Sequence, residues 1–295
     1  MSTLLDLVRR HADAHAPGGG IAATPIPSLS TVHALAPSGL GHDIQRPLAC
    51  LVLQGAKEVT MGARTLAFAA GDTLVIAADV PTASRIVRAS AAAPYCSLVL
   101  EIDPAVVADL VADMDVAPDT GAPPIGVAPT DDELAEAALQ LMRLLDRPSA
   151  LPVLQGQRVR EAHYWLLAGR HGPAIRRLAW PNGSARRVAR AVAVLRAEYD
   201  RPLPVERLAA LSDMSVSAFH VHFRAATSLT PLQFQKRLRL IEARRRMLAD
   251  GVAASIAAHG VGYASVPQFT REYARMFGQP PARETGAARQ RAQIM

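Results

Sequence analysis

The chain has 295 residues, enough for two domains that each bury a core, and a formal net charge of +6 at pH 7. This charge is unevenly distributed. Residues 1–183 contain 14 Lys and Arg against 18 Asp and Glu, whereas residues 184–295 contain 18 against 8, a net charge of +10. The split excludes a uniformly basic protein and indicates a polyanionic partner for the C-terminal part alone.

The first third of the chain has the pattern of antiparallel β-structure. Residues 1–15 predict a short amphipathic helix that ends at the turn PGGG over 17–20. Between about 45 and 102, short apolar runs alternate with turn residues, which predicts an antiparallel sandwich or a small barrel. The predicted strands are 48–53, 57–61, 64–69, 73–77, 84–88 and 95–102.

Three helices are predicted after these strands. Asp103 and Pro104 have the N-cap and first-turn chemistry of a helix over 104–114. Helices over 131–146 and 153–169 follow, the first with an apolar stripe at three- to four-residue spacing. This pair can pack on the β-domain or pair with another subunit, and we interpret it as doing both. The stripe consists of Leu134, Ala138, Leu141 and Leu145.

A turn-rich segment, WPNGS over 180–184, separates this region from a wholly helical one. We therefore predict an N-terminal domain over 1–180, a linker over 181–185 and a helical domain over 186–287.

The helical domain contains one motif twice, fifty positions apart, and such a period signals a duplicated unit. Each copy has a short apolar helix, a small or polar turn and a second helix opened by a serine. This predicts two helix-turn-helix motifs and hence DNA binding. The recurring residues are Ser215, Phe219 and Phe223, then Ser265, Phe269 and Tyr273.

The first copy consists of helices over about 204–211 and 216–227. Phe219 and Phe223 are four residues apart, so they share a face and are expected in the core. The segment TPLQ over 230–233 then predicts a capped helix start, and the helix continues to about Ala249. Twenty residues span roughly 30 Å, close to the roughly 34 Å of one DNA turn. The face opposite the aromatic residues carries Ser217, His220, Val221 and Arg224.

In the second copy, Gly260 and Gly262 are expected to form the turn, and Ser265 and Gln268 a capping box. The aromatic residues Phe269, Tyr273 and Phe277 should face inward. An arginine on the opposite face can pair bidentately with guanine, which is worth about 1–3 kcal/mol of discrimination, whereas Arg224 is better placed for phosphate. The alternative for these polar residues is solvated surface, which is our interpretation of the arginines at 244–246. The outward residues are Thr270, Arg271 and Arg275.

The motifs of the helical domain together resemble the DNA-binding domain of AraC/XylS-family transcriptional regulators. They are Ser215-x3-Phe219-x3-Phe223-Arg224, TPLQF over 230–234, KRLRLIEARRRML over 236–248, and Gly262-Tyr263-x-Ser265-x2-Gln268-Phe269-x-Arg271-x-Tyr273-x3-Phe277-Gly278. The resemblance implies seven helices, with the third and sixth in adjacent major grooves of double-stranded DNA. The base-contacting positions that it implies are Ser217, His220 and Val221, then Val266, Pro267, Thr270 and Arg271.

Residues 46–81 and 94–103 resemble, less specifically, the cupin-like effector domain of one subgroup of this family. Members bind a small molecule inside the barrel and dimerise through the helices after it, and an activator would also contact RNA polymerase. The expected fold class is therefore α+β: an antiparallel, cupin-like β-barrel with flanking helices, then an all-α domain of two helix-turn-helix motifs joined by a long helix. Candidate effector-binding residues are Gln54, Arg64 and Tyr95.

The rival hypothesis is a cupin-type metalloenzyme, an oxidoreductase or isomerase. Such enzymes place histidines on neighbouring strands, but His33 and His42 precede the predicted strands and His163 follows them. We therefore predict a ligand-controlled regulator with no enzymatic activity, metal or cofactor. Cys50 and Cys96 form no C-x-x-C pattern and lie in apolar runs, so each is either a buried core residue or a reactive thiol.

Signals for export and membrane insertion are absent from the sequence. The first fifteen residues lack the apolar core of a signal peptide, and no apolar run reaches the roughly 20 residues that cross a bilayer. The two cysteines suggest no disulfide framework. These features predict a cytoplasmic protein without a membrane partner.

Overall fold

A computed structural model describes residues 2–62, 64–114, 122–179 and 183–286. Two compact units are distinguished, Met1–Arg186 and Arg187–Met295, which we call unit 1 and unit 2. In the described ranges, no helix combines the length and apolar character that crossing a membrane requires.

Unit 1 mixes short strands with helices, and every strand predicted from the sequence is present to within a few residues. In chain order its elements are α1 (Leu4–His15), β1 (Gly20–Ala23), β2 (Leu29–Ala34), β3 (Gly41–Gln45), β4 (Leu48–Gln54), β5 (Ala56–Met61), β6 (Arg64–Ala69), β7 (Asp72–Ile76), β8 (Val80–Arg88), β9 (Tyr95–Glu101), α2 (Pro104–Met114), β10 (Ile125–Pro129), α3 (Asp132–Leu144), α4 (Leu151–Ala168) and α5 (Gly172–Ala179). As predicted, Asp103 accepts a hydrogen bond from the backbone N–H of Ala105 at the start of α2.

The strands form two antiparallel sheets. The six-stranded sheet has the order β1-β2-β9-β4-β7-β10, and the four-stranded sheet has the order β3-β8-β5-β6. No strand of one sheet pairs with a strand of the other among the described residues. The α+β class is thus confirmed, while the closed barrel is replaced by a sandwich-like pair of sheets. Strand patterns locate strands but leave their pairing partners undetermined, so the sequence could not separate these architectures.

The six-stranded sheet is buried on both faces. Ala49 and Leu51 of β4 pack with the helices, together with Leu134 of α3 and Leu166 of α4. The alternate residues Cys50 and Val52 face the four-stranded sheet. Burial on both faces accounts for the continuous apolar run LACLVL, which shows no alternation.

Five elements of unit 1 escaped the sequence analysis: β1, β2, β3, β10 and α5. Their strands have only four to six residues, and β2 contains the buried polar residues Thr31 and His33. The prediction that His33 and His42 precede the strands was therefore wrong, because His33 lies on β2 and His42 on β3. Buried polar residues remove the alternation on which strand prediction depends.

Unit 2 is helical, and its helices begin and end close to the predicted positions. Of the predicted linker, residues 181 and 182 lie outside the described residues, as does Trp180, while Ser184 and Ala185 already belong to the first helix. A further helical segment covers 281–286. The helices are α6 (Ser184–Ala197), α7 (Val205–Leu211), α8 (Val216–Thr227), α9 (Pro231–Ala249), α10 (Ala254–Gly260) and α11 (Val266–Phe277).

Side-chain caps start three of these helices. The hydroxyl of Ser215 accepts a hydrogen bond from the N–H of Ala218, and Thr230 forms the predicted reciprocal box with Gln233. Ser265 also caps α11, accepting from the N–H of Gln268 at 3.4 Å. The reciprocal half of that box was a wrong prediction, because the amide of Gln268 instead donates to Glu272 at 3.1 Å.

The turn between α10 and α11 requires glycine at position 262. Gly262 has φ +86°, and a Cβ there would lie 2.0 Å from the carbonyl oxygen of Asp200. Gly278, after α11, has a similar φ of +80° but has open space around the position of a Cβ. Alanine at position 278 would therefore meet only the backbone strain of a positive φ, whereas alanine at position 262 would meet both this strain and steric overlap.

We expect Gly262→Ala to destabilise the protein by about 3 kcal/mol or more, because the left-handed conformation and the overlap with Asp200 both oppose it. Gly278→Ala should cost only about 1 kcal/mol, the conformational part alone. Urea unfolding of both variants measures the difference. Equal losses would contradict the close approach of the Gly262 turn to Asp200.

Candidate nucleic-acid interface and ligand cavity

The two helix-turn-helix motifs, α7–α8 and α10–α11, are anchored by aromatic residues at equivalent positions. Phe219 and Phe223 of α8 are fully buried, and the ring of Phe223 meets that of Phe234 on α9 edge to face at 5.6 Å. In the second motif, Phe269 and Tyr273 of α11 are also fully buried. These contacts fix which face of each second helix points outward.

The outward faces carry most of the residues predicted to contact DNA. On α8, the four candidates are all exposed, and Val221 is 67% exposed although it is apolar. On α11, Pro267, Arg271 and Arg275 are exposed, whereas Val266 and Thr270 are half-buried. The structure thus brings these residues onto two helix faces, and their roles in DNA contact stay predictions. The four on α8 are Ser217, His220, Val221 and Arg224.

Three arginines on these faces are free to bind an anion. Arg224, Arg271 and Arg275 make no ion pair and no side-chain hydrogen bond with any residue in the described ranges. Arginine with an uncommitted guanidinium suits bidentate contact with a phosphate or a guanine edge. The exposed face of each second helix therefore offers positive charge without a competing carboxylate.

The prediction of a solvated face at 244–246 fits Arg245, which is exposed, but not Arg244 and Arg246, which are half-buried. Arg244 binds Glu284 at 2.6 Å and lies over the ring of Phe277. Arg245 pairs with Glu242 at 2.9 Å. Arg246 donates to the hydroxyl of Tyr199 at 2.8 Å and to a backbone carbonyl of the second motif. Most of these partners are distant in sequence, so a local pattern could not show that the guanidinium groups are used internally.

A partly buried polar cluster joins α9 to the second motif. Glu272 accepts hydrogen bonds from Lys236 of α9 at 2.8 Å, from the Tyr263 hydroxyl at 2.7 Å and from Gln268. Burial raises the pKa of Glu272, but these hydrogen bonds outweigh it and hold the pKa below its ordinary value. Arg239 of α9 donates to the carbonyl of Gly262. Neither Glu272 nor Arg239 was predicted as a functional residue, although an acid at 272 in an otherwise basic helix was an available signal.

We expect Glu272→Gln to weaken the attachment of α11 in a pH-dependent way. Because the pKa of Glu272 is depressed on folding, its charge stabilises the folded state above the unfolded pKa of 4.5, and this stabilisation is lost as pH falls through the lower folded pKa. The stability difference between wild type and variant, from urea unfolding, should be larger at pH 7 than at pH 4. Glu206→Gln, an exposed acid on α7, is the control. A difference independent of pH would contradict the role of the carboxylate.

Unit 1 contains a cavity of about 120 Å³ between its two sheets. None of the predicted effector-binding residues lines it. Gln54 is half-buried at the end of β4, Arg64 is exposed at the start of β6, and Tyr95 is fully buried with its hydroxyl 3.9 Å from the Sγ of Cys50. The lining residues are Ile21, Ser30, Val32, Asp43, Gln45, Leu48, Cys50, Lys57, Val59, Leu74, Ile76, Thr82, Ser84 and Val99.

The two cysteines are free and buried. Burial raises the pKa of Cys96 to about 11, so this thiol is protonated at neutral pH and a poor nucleophile. Cys50 lines the cavity. In the part of the chain that the structure describes, no group of three or more His, Cys, Asp and Glu side chains is arranged to hold a metal ion.

Comparison with known families decides the class of protein to which this arrangement belongs. Residues 25–174, just over half of the chain, match the model of the AraC-type transcriptional regulator N-terminus. The chain belongs to the AraC-type transcriptional regulators. Residues 208–285, which include both motifs and α9, match the model of a helix-turn-helix domain. Both models describe transcriptional regulators or their DNA-binding parts, and neither describes an enzyme.

The chain is also similar to individual proteins of known structure or assigned function. The HTH-type transcriptional activator RhaS of Pectobacterium atrosepticum is 29% identical over 101 residues, which are 34% of this chain and only 36% of that relative. The apo structure of a single-residue variant of ToxT from Vibrio cholerae is 8% identical and covers 89% of this chain and 98% of its own, with a TM-score of 0.58. Wild-type ToxT with an unsaturated fatty acid bound is 7% identical and covers 86% and 94%, with a TM-score of 0.55. The ToxT structures show that the fold is shared.

Proposed function

We propose that this AraC-type regulator binds a specific double-stranded DNA sequence through α8 and α11, and activates or represses transcription under the control of a small molecule bound in unit 1. The observation that carries this proposal is the repeated pair of helix faces, each anchored by buried aromatic residues and each exposing arginine without an internal partner in the described ranges. A regulator of this kind acts where the DNA is, which supports a cytoplasmic location, and needs no enzymatic activity of its own.

The length of α9 suits contact with two successive turns of DNA. Its 19 residues correspond to about 28 Å at 1.5 Å per residue, and one helical turn of DNA is about 34 Å. Helices positioned against such a spacer would meet the major groove twice on one side of the duplex. The proposed contacts are Ser217, His220, Val221 and Arg224 from α8, and Val266, Pro267, Thr270, Arg271 and Arg275 from α11.

Arg271 and Arg224 should have different effects when replaced by alanine. Arg271 is proposed to contact a base, so Arg271→Ala should weaken binding to the preferred duplex by about 1–3 kcal/mol and relax preference at one base position. Arg224 is proposed to contact phosphate, so Arg224→Ala should weaken binding to all duplexes alike. Fluorescence anisotropy with a duplex selected from a random library, and with single-base variants of it, measures both. Equal loss on selected and random DNA for both variants would contradict this division.

Salt dependence provides an independent test of the phosphate contact. Counterion release makes the logarithm of the binding constant fall linearly with the logarithm of salt concentration. We expect a steep slope for the wild type and a slope smaller by about 1 for Arg224→Ala. Arg85→Ala, which removes an exposed charge in unit 1, is the matched control and should leave the slope unchanged. Affinity that does not vary with salt would refute electrostatic binding to DNA.

Unit 1 is proposed to bind the effector and to mediate dimerisation, within the predicted boundaries of 1–180 for this domain, 181–185 for the linker and 186–287 for the DNA-binding domain. The cavity between the sheets supports the first role, as does the fatty acid bound to ToxT, which shares the fold. The interface between copies is proposed on helices 131–169, where Val153 and Tyr164 of α4 are eleven residues apart, on one helix face, and 72% and 37% exposed. An activator would in addition contact RNA polymerase.

A further inference from the structure

The cavity of unit 1 contains a lysine in an unusual place. On β5, residues 57, 59 and 61 share the face toward the six-stranded sheet, because side chains alternate along a strand. Val59 and Met61 are buried among apolar residues, whereas Lys57 is half-buried and lines the cavity. Sheets often carry inward lysines on edge strands, where the charge prevents aggregation. That explanation does not apply here, since β5 is an internal strand between β8 and β6.

The ammonium group of Lys57 has no partner in the described part of the protein. Neither an ion pair nor a hydrogen bond joins its Nζ to any residue in those ranges. The neighbouring acid, Glu58, points to the other face of β5 and pairs with Arg85 at 2.8 Å. An anion that entered the cavity would therefore meet this ammonium group without a competing carboxylate on the same strand.

Asp43, the one acidic residue of the lining, is too distant to neutralise Lys57. It lies opposite Thr82 of β8, whereas Lys57 lies opposite Ile86 of the same strand, so the two are four register positions and two strand spacings apart. From the usual dimensions of a sheet, this separation is about 16 Å between Cα atoms. The carboxylate of Asp43 already accepts hydrogen bonds from the N–H of Ile44 and from Gln45.

Ser84 provides a second donor near Lys57. It lies opposite Val59 on the neighbouring strand, diagonally placed from Lys57, and such diagonal Cβ atoms are about 7–8 Å apart. Its hydroxyl makes no side-chain hydrogen bond within the described part of the chain. The opposite wall, from the six-stranded sheet, is mainly apolar: Val32, Leu48, Leu74, Ile76 and Val99. The cavity therefore has one polar wall, whose donors include Lys57 and Ser84, and one mainly apolar wall.

We propose that this cavity binds a small organic carboxylate, with its carboxylate held by the Nζ of Lys57 and the hydroxyl of Ser84 and its apolar body against the six-stranded sheet. This proposal rests on the effector role given to unit 1 above. The volume of about 120 Å³ is close to the roughly 150 Å³ of a cavity that holds benzene and well below the roughly 300 Å³ at which pockets for drug-sized ligands begin. This volume suits a ring-sized or short-chain acid.

The test uses the full-length protein and three kinds of probe of similar size: benzoate and pentanoate, their neutral amides, and pentylamine. Calorimetric titration and thermal unfolding measure binding. We expect the two acids to bind and to raise the unfolding temperature, and the amides and the amine to bind at least tenfold more weakly. Lys57→Met should weaken binding of the acids at least tenfold. Arg85→Met, which removes one positive charge from the opposite face of the same sheet, should bind them as the wild type does.

The proposal is overturned if amides or the amine bind as well as the acids, if Lys57→Met retains wild-type affinity for the acids, or if no probe binds the folded wild type at millimolar concentration. Should Lys57→Met fail to fold, Lys57→Gln takes its place. Binding of the selected DNA duplex is measured on the same samples without any probe. If the wild type does not bind the duplex, the proposed function is refuted. If it binds the duplex but no acid, only the proposed ligand class is refuted.

Discussion

Helix α9 is the element against which both helix-turn-helix motifs are held. Phe234 packs on Phe223 of the first motif, while Lys236 and Arg239, only a few residues further along, bind Glu272 and the carbonyl of Gly262 in the second. Near its other end, Arg244 and Arg246 bind Glu284 and the carbonyl of Gly260. The first motif is thus held by aromatic packing, and the second by an apolar cluster that includes Leu240, Ala243 and Met247 of α9, together with charged hydrogen bonds. Any change in the path of α9 would alter the separation of α8 and α11, on which the proposed simultaneous contact with DNA depends.

Unit 1 depends on a different constraint, the burial of one sheet on both faces. The helices cover one face of the six-stranded sheet and the four-stranded sheet covers the other. The helix-facing side is packed mainly with apolar residues. The side between the sheets leaves a small cavity, and the polar residues of β3, β5 and β8 line it. A ligand there would touch both sheets at once, so its binding can change how the sheets sit against each other, which is a route for control.

The helices of unit 2 could be predicted from sequence because each is encoded locally. Ser215 and Thr230 mark helix starts, and Phe219 and Phe223 mark the buried face, so the outward positions follow from helical geometry. The partners of Glu272, Arg244 and Arg246 could not be predicted, because they depend on contacts between helices distant in sequence. In unit 1 the strands between residues 48 and 102 were recognised from short apolar runs separated by turn residues. Their pairing, the strand that contains His33 and the cavity around Lys57 required the three-dimensional register.

On α11, the residues that hold the helix and the residues that point outward occupy separate faces. Tyr273 and Glu272 are bonded to Glu284 and Lys236, while Arg271 and Arg275 make no ion pair or side-chain hydrogen bond in the described structure. If the outward side chains contact DNA as proposed, evolution can exchange them, and with them the operator sequence that is recognised, without disturbing the scaffold. A gene duplicate of such a regulator could acquire a new set of target promoters through a handful of surface substitutions.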